Sequence, residues 1–149
     1  MEQVEAVTPV EAIRTRVREA RNRKGMTAQE LADRLKGSGV PWDRGTVTKL
    51  ETGHRQNVTV VELLALARAL DVAPIHLLVP LEDGGNYMAT PNEPVKVERA
   101  RYWIRGIVPL GRTEMRIFRT EVPVAELRAW DPEAEDGSGQ QEHQEAPKR

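Results

Sequence analysis

The threonines at positions 8, 27 and 59 are each followed three residues later by a glutamate and then by an apolar stripe: Thr8-Pro9-Val10-Glu11, Thr27-Ala28-Gln29-Glu30 and Thr59-Val60-Val61-Glu62. A threonine hydroxyl and a glutamate carboxylate at this spacing satisfy the free backbone NH groups at a helix start. Pro9 strengthens the first box, because a proline at the first helical position has no NH to leave unpaired. Ile13, Val17 and Ala20, with Val10, then recur at helical spacing before Gly25. Leu31, Ala32 and Leu35 do so before Gly37 and Gly39, and Leu63, Leu64, Leu66, Ala67 and Leu70 after the third box. The pattern predicts helices over Pro9–Lys24, from Ala28 to about Lys36, and over Val60–Leu70.

Two shorter helices complete the series. Asp43 is a good N-cap for Arg44–Glu51, closed by Gly53, and Pro74 opens a turn of Ile75, Leu77, Leu78 and Val79 before Pro80. The Asp43 helix runs against its own propensity: Gly45, Thr46, Val47 and Thr48 each disfavour helix by up to about 1 kcal/mol relative to alanine. Packing must hold it. About 80 residues are thus partitioned into five short helices.

Beyond Leu81 the periodicity is lost, and Asp83-Gly84-Gly85-Asn86 reads as a turn-rich linker over 81–93. Pro94–Gly106 reads as a sixth helix burying Val97, Ala100, Trp103 and Ile104. Met115 and Ile117 then alternate with Arg116 and Phe118 as a strand does, and one or two helical turns are expected after Pro123. Residues 131–149 have Ala134 and Ala146 as their only apolar side chains and a charge balance of -4, so a disordered acidic tail is expected. The segment 94–130 holds Tyr102, Trp103, Phe118 and Trp130, an apolar surface suited to folding back on the fifth helix or to forming a homodimer interface; dimerisation is the favoured reading.

With 149 residues and no cysteine, the chain excludes large multi-domain enzymes, disulfides, cysteine zinc sites and iron–sulfur clusters. No apolar run approaches the roughly 20 residues of a membrane span, and the first seven residues carry two glutamates and no basic residue, unlike a signal peptide. A cytoplasmic protein without membrane contact is expected. His54, His76 and His143 lie far apart in sequence, and no zinc-protease, P-loop, dinucleotide-binding or nucleophile-elbow motif occurs, so neither an enzyme, a metal nor a cofactor is expected. The net charge of -1 hides a gradient: between Arg14 and Lys24 five arginines and a lysine face Glu19 alone. Such a stretch suits either a solvated helix face or a polyanion partner.

A helix, a turn and a second short helix form the arrangement that lays one helix across a DNA backbone and the next in the major groove. Met26-Thr27-Ala28-Gln29-Glu30-Leu31-Ala32, Thr46 to Gly53 and Leu63 to Val72 together resemble the Cro/CI-type (XRE) helix-turn-helix domain of bacterial and phage regulators. The resemblance implies an all-α, five-helix lambda-repressor-like DNA-binding domain over 8–80. A linker at 81–93, a C-terminal helical or α+β segment at 94–130 for assembly or partner binding, and the tail would follow. Two departures stand out: Lys36 to Trp42 lengthens the turn by about five residues, and Ala28 occupies a cap position where the family often has glutamine.

The expected function is sequence-specific regulation of transcription on double-stranded DNA. The alternative is an antitoxin or adaptor that uses the same helices to hold a partner protein. With Val47 and Leu50 turned to the core, helical geometry puts Arg44, Gly45, Thr48 and Lys49 outward. Arg44 and Lys49 are candidates for guanine O6 and N7, Thr46 and Thr48 for phosphate or thymine, and Gly45 for close approach of backbone. Thr27, Gln29, Arg55 and Asn57 are expected at phosphates, and Trp42 beside the DNA. Glu51 is expected to hold the unit together, through backbone or an arginine of the first helix. Other arginines there are expected to pair with Glu30, Asp33 or Glu62.

Overall fold

The computed structural model describes residues 5–126. The tail expected at 131–149, and Trp130 with it, lies outside the described residues. The elements are β1 (Ala6–Val7), α1 (Pro9–Arg23), α2 (Ala28–Gly37), α3 (Arg44–Glu51), α4 (Val60–Leu70), α5 (Pro74–Leu78), β2 (Asn86–Thr90), β3 (Glu93–Lys96), α6 (Val97–Ile104) and α7 (Met115–Phe118). A 3-10 turn over Arg119–Glu121 follows α7.

All three capping boxes close. The hydroxyls of Thr8, Thr27 and Thr59 accept from the amides of Glu11, Glu30 and Glu62, and the glutamates accept in return from the threonine amides at 2.7–2.9 Å. The helix ends are equally ordered. Gly25 (φ 61°) and Gly39 (φ 86°) adopt the left-handed conformation that ends α1 and α2. The next amides then bond back, Met26 to the Arg21 carbonyl at 3.0 Å and Val40 to the Leu35 carbonyl at 2.9 Å. Each turn thereby folds an apolar side chain inward. Met26 and Val40 join a core built from Ile13, Val17 and Ala20 of α1, Leu31, Ala32 and Leu35 of α2, Val47 and Leu50 of α3, Leu66, Ala67 and Leu70 of α4, and Leu77 of α5.

A second, smaller core lies on the other side of α1 and α5. It joins Ala12 and Val79 to Tyr87, Val97 and Ala100, with Ile104 at its edge. The three strands lie in the order β1-β2-β3, β1 parallel and β3 antiparallel to β2. The C-terminal part is therefore α+β. It folds back on the helical unit, one of the two arrangements its aromatic content allowed.

Three expectations for this half need correction. Within the stretch read as linker, residues 86–90 form β2; Tyr87 is 2% exposed, and its hydroxyl donates to the Leu78 carbonyl at 3.0 Å. Burial pushes the Tyr87 phenol up to about 12. The sixth helix starts at Val97 rather than Pro94, because Val95 and Pro94 pair in register with Tyr87 and Met88. Proline, which cannot donate to a ladder, is tolerated on such an edge strand. Finally, Met115–Phe118 is a helical turn rather than a strand, with the Phe118 amide bonded to the Glu114 carbonyl at 3.0 Å. Its inward side chains are Phe118 and Arg119, whose Nε donates to the Ile107 carbonyl, while Met115 and Ile117 face outward. Four residues of alternation were too few to set a period.

Arg16 ties the two cores together. Although it belongs to the basic run of α1 it is buried, with its Nε donating to the His76 carbonyl at 2.8 Å and its NH1 paired with Glu19. Burial lowers the pKa of the His76 imidazole, and the charges of Arg105 and Arg16 lower it further. A base with a depressed folded pKa takes up protons more readily when unfolded. Stability from this group is complete above its ordinary value of 6.5 and falls as pH drops below it toward the folded value. Denaturant titrations between pH 7.5 and 5.5 are expected to show that decline, and His76→Gln to flatten it. An unchanged slope in the variant would place the titration elsewhere.

Candidate nucleic-acid interface

The N-terminus of α2 and the outer side of α3 form one exposed surface. α3 is eight residues long and attached through one side only: Val47 and Leu50 are fully buried, whereas Arg44, Gly45, Thr48 and Lys49 are exposed. This is the partition expected from a 100° step per residue. At its start, Asp43 Oδ1 accepts from the Thr46 amide at 2.7 Å and from the Thr46 hydroxyl at 2.9 Å. Those bonds hold the Asp43 carboxyl below its ordinary range, so it stays ionised. Thr46 is thus occupied with the cap. The Thr48 hydroxyl donates to the Arg44 carbonyl at 3.0 Å, and the residue is exposed.

Gly45 has a role within the chain besides close approach. A Cβ there would stand 3.3 Å from Asp43 Oδ1, pressing on the cap. Gly53, which closes the helix, is more constrained still: its φ is 84°, and a Cβ would lie 2.9 Å from the Arg14 guanidinium. Thr27 and Gln29 are exposed at the start of α2, where Gln29 Nε2 donates to Asp33 at 2.9 Å. Asn57 is exposed in the loop after α3.

Two expected contacts meet a different environment. Trp42 was expected beside DNA, yet only 4% of it is exposed; the long turn delivers it into the core with Val40. A side chain so enclosed has no face to offer a ligand. Arg55 lies over the Trp42 ring at 4.4 Å from its centroid, with NH2 2.5 Å from Glu62 Oε1 and Nε donating to the Asn57 carbonyl at 3.0 Å. Glu62 accordingly pairs with Arg55 and not with the first helix. Desolvation raises the pKa of Glu62, but hydrogen bonds from the Thr59 amide, Trp42 and Arg55, with the charge of Arg55, bring it below its ordinary value.

Glu51 meets the expectation of an arginine partner. Arg21 Nε and NH2 contact its two oxygens at 2.6 and 2.9 Å, and Arg21 NH1 donates to the Met26 carbonyl at 2.8 Å. The hydrogen bond to Glu51 raises the Arg21 pKa. Among the described residues no group of histidines and carboxylates could hold a metal ion, and no helix is long and apolar enough to cross a membrane.

Comparison with known proteins agrees with this geometry. A family model described as a helix-turn-helix domain matches residues 12–78. Among solved structures, the chain is similar to the restriction-modification controller protein C.AhdI from Aeromonas hydrophila. The two are 37% identical over 46% of this chain and 94% of that one, with a TM-score of 0.40. No curated protein matches the chain. Residues 12–78 thus carry a helix-turn-helix DNA-binding domain.

Proposed function

We propose that the protein is a sequence-specific transcriptional regulator that places α3 in the major groove of double-stranded DNA. One observation carries this reading: α3 packs on the core through Val47 and Leu50, leaving Arg44, Gly45, Thr48 and Lys49 outward and together. Arg44 and Lys49 supply the donors that guanine O6 and N7 accept, and Thr48 supplies a methyl and a hydroxyl for thymine or phosphate. Thr27, Gln29 and Asn57 lie where phosphates flank that groove, while Gly45 and Thr46 shape the helix start.

A second copy completes the site. A single short helix reads few base pairs, and a two-fold pair would read two half-sites about one helical turn apart. The C-terminal part supplies candidate contacts for that pair in Tyr102 and Ile117, which are exposed although large and apolar. Selection of bound fragments from random DNA, at two protein concentrations, tests both statements. The expected result is an enriched inverted repeat with half-sites spaced about 10 base pairs centre to centre. Recovery of no enriched sequence would remove the regulator reading in favour of a protein-holding module, and recovery of a single asymmetric half-site would remove the dimer.

A further inference from the structure

α3 is short and weak in helix propensity, and the turn before it is long, yet it must present its outer face at a fixed angle if it reads DNA. Its two flanks converge on one carboxylate. Trp42, directly before the N-cap, donates from Nε1 to Glu62 Oε1 at 3.3 Å. Arg55, four residues past the helix end, reaches the same oxygen at 2.5 Å and stacks on the Trp42 ring. Glu62 Oε2 accepts from the Thr59 amide at 2.9 Å, closing the box that starts α4. One side chain therefore joins the entry of α3, its exit loop and the next helix.

We infer that Trp42, Arg55 and Glu62 form a clip that positions the recognition helix, with Arg55 acting through Trp42 and Glu62 rather than through phosphate. The inference rests on the regulator reading for its consequence in binding, but the clip itself does not. It explains why a long turn is compatible with a fixed helix: the added residues return Trp42 to the core instead of leaving the N-cap on a loose loop. It also assigns Arg55 by its chemistry, since a planar guanidinium can stack on indole while one nitrogen bonds a carboxylate and another a backbone carbonyl, which an ammonium does not do.

The clip and a direct phosphate contact predict opposite results. Glu62 is an anion near the proposed DNA surface, so on charge alone Glu62→Gln strengthens DNA binding; removal of a clip weakens it. Arg55→Lys keeps the charge a phosphate needs but loses the stack on Trp42 and the paired bonds to Glu62 and the Asn57 carbonyl. The full chain should be compared with both variants, each at a temperature where circular dichroism shows it folded. Binding to the selected DNA is read against salt, and amide hydrogen exchange is read across residues 44–51.

The clip requires about a tenfold loss of affinity in both variants with an unchanged salt slope, and about tenfold faster exchange in α3 with α1 unaltered. Tighter binding by Glu62→Gln, or near-wild-type binding by Arg55→Lys, would overturn it. Unchanged exchange in α3 would also overturn it. If the wild-type chain binds no DNA, the regulator reading fails, and the exchange measurement alone decides the clip.

Discussion

Replacing Arg44 and Lys49 together by alanine is expected to lower affinity for the selected DNA by about thirtyfold to ten-thousandfold. Each bidentate or well-placed contact to a base edge contributes roughly 1 to 3 kcal/mol of discrimination, and about 1.4 kcal/mol corresponds to a factor of ten. Folding should be little affected. Both side chains are exposed, neither has an ion-pair partner among the described residues, and exposed positions of this kind usually change stability by less than about 0.5 kcal/mol. The salt dependence separates the two kinds of contact. If Arg44 and Lys49 read bases, the loss is concentrated on the selected sequence, and the slope of log affinity against log salt hardly moves. If they hold phosphates, the loss is uniform across sequences, and the slope falls by roughly one unit per residue. Binding titrations at several salt concentrations, on selected and scrambled DNA, distinguish these outcomes. A double variant that binds both as well as wild type removes α3 from the interface.

The helical half of this surface was legible because its signals are local. Capping boxes at Thr8, Thr27 and Thr59, the cap at Asp43 and the stops at Gly25, Gly39 and Gly53 each report on the backbone within a few residues. The predicted helix limits agree with the observed ones to within one residue at most ends. The outward set on α3 followed from periodicity alone, since eight residues with Val47 and Leu50 inward leave few other arrangements. What escaped notice depends on contacts distant in sequence. Tyr87 gave a local signal, a lone aromatic next to Met88 after a Gly-Gly turn, but its burial needs Ala12, Val79 and Val97. Sequence offered no means to bring those together. The pairing of β1 with β2 links residues 80 apart. Trp42 was misplaced for a related reason: an aromatic next to a recognition helix suits DNA as well as it suits a core, and only Glu62 and Arg55, 20 and 13 residues further on, decide between them.

Glu51→Ala is expected to destabilise the helical unit by about 2 to 4 kcal/mol, less than the 3 to 5 typical of a wholly buried pair because Arg21 and Glu51 keep some contact with solvent. For a unit of this size that corresponds to a fall of roughly ten degrees or more in melting temperature. The cause is less the lost attraction than what remains. Arg21 would be left largely enclosed, with its Nε and NH2 unpaired and only NH1 still bonded to the Met26 carbonyl. The pair also answers a problem in α3 itself, whose last residue is a carboxylate at the negative end of the helix dipole, where a cation is favoured. Arg21 neutralises it from α1 and fixes the far end of α3. A second variant separates the two parts of the cost. Arg21→Met with Glu51→Leu fills the same space with apolar groups and leaves no buried charge, so it should recover more than half of the lost stability. DNA affinity should not recover with it, because apolar contacts no longer set the direction in which the C-terminal end of α3 points. Thermal denaturation of wild type, single and double variants, followed by binding at a temperature where all are folded, tests both halves. Equal melting temperatures for wild type and Glu51→Ala would mean that α3 is held by Val47 and Leu50 alone.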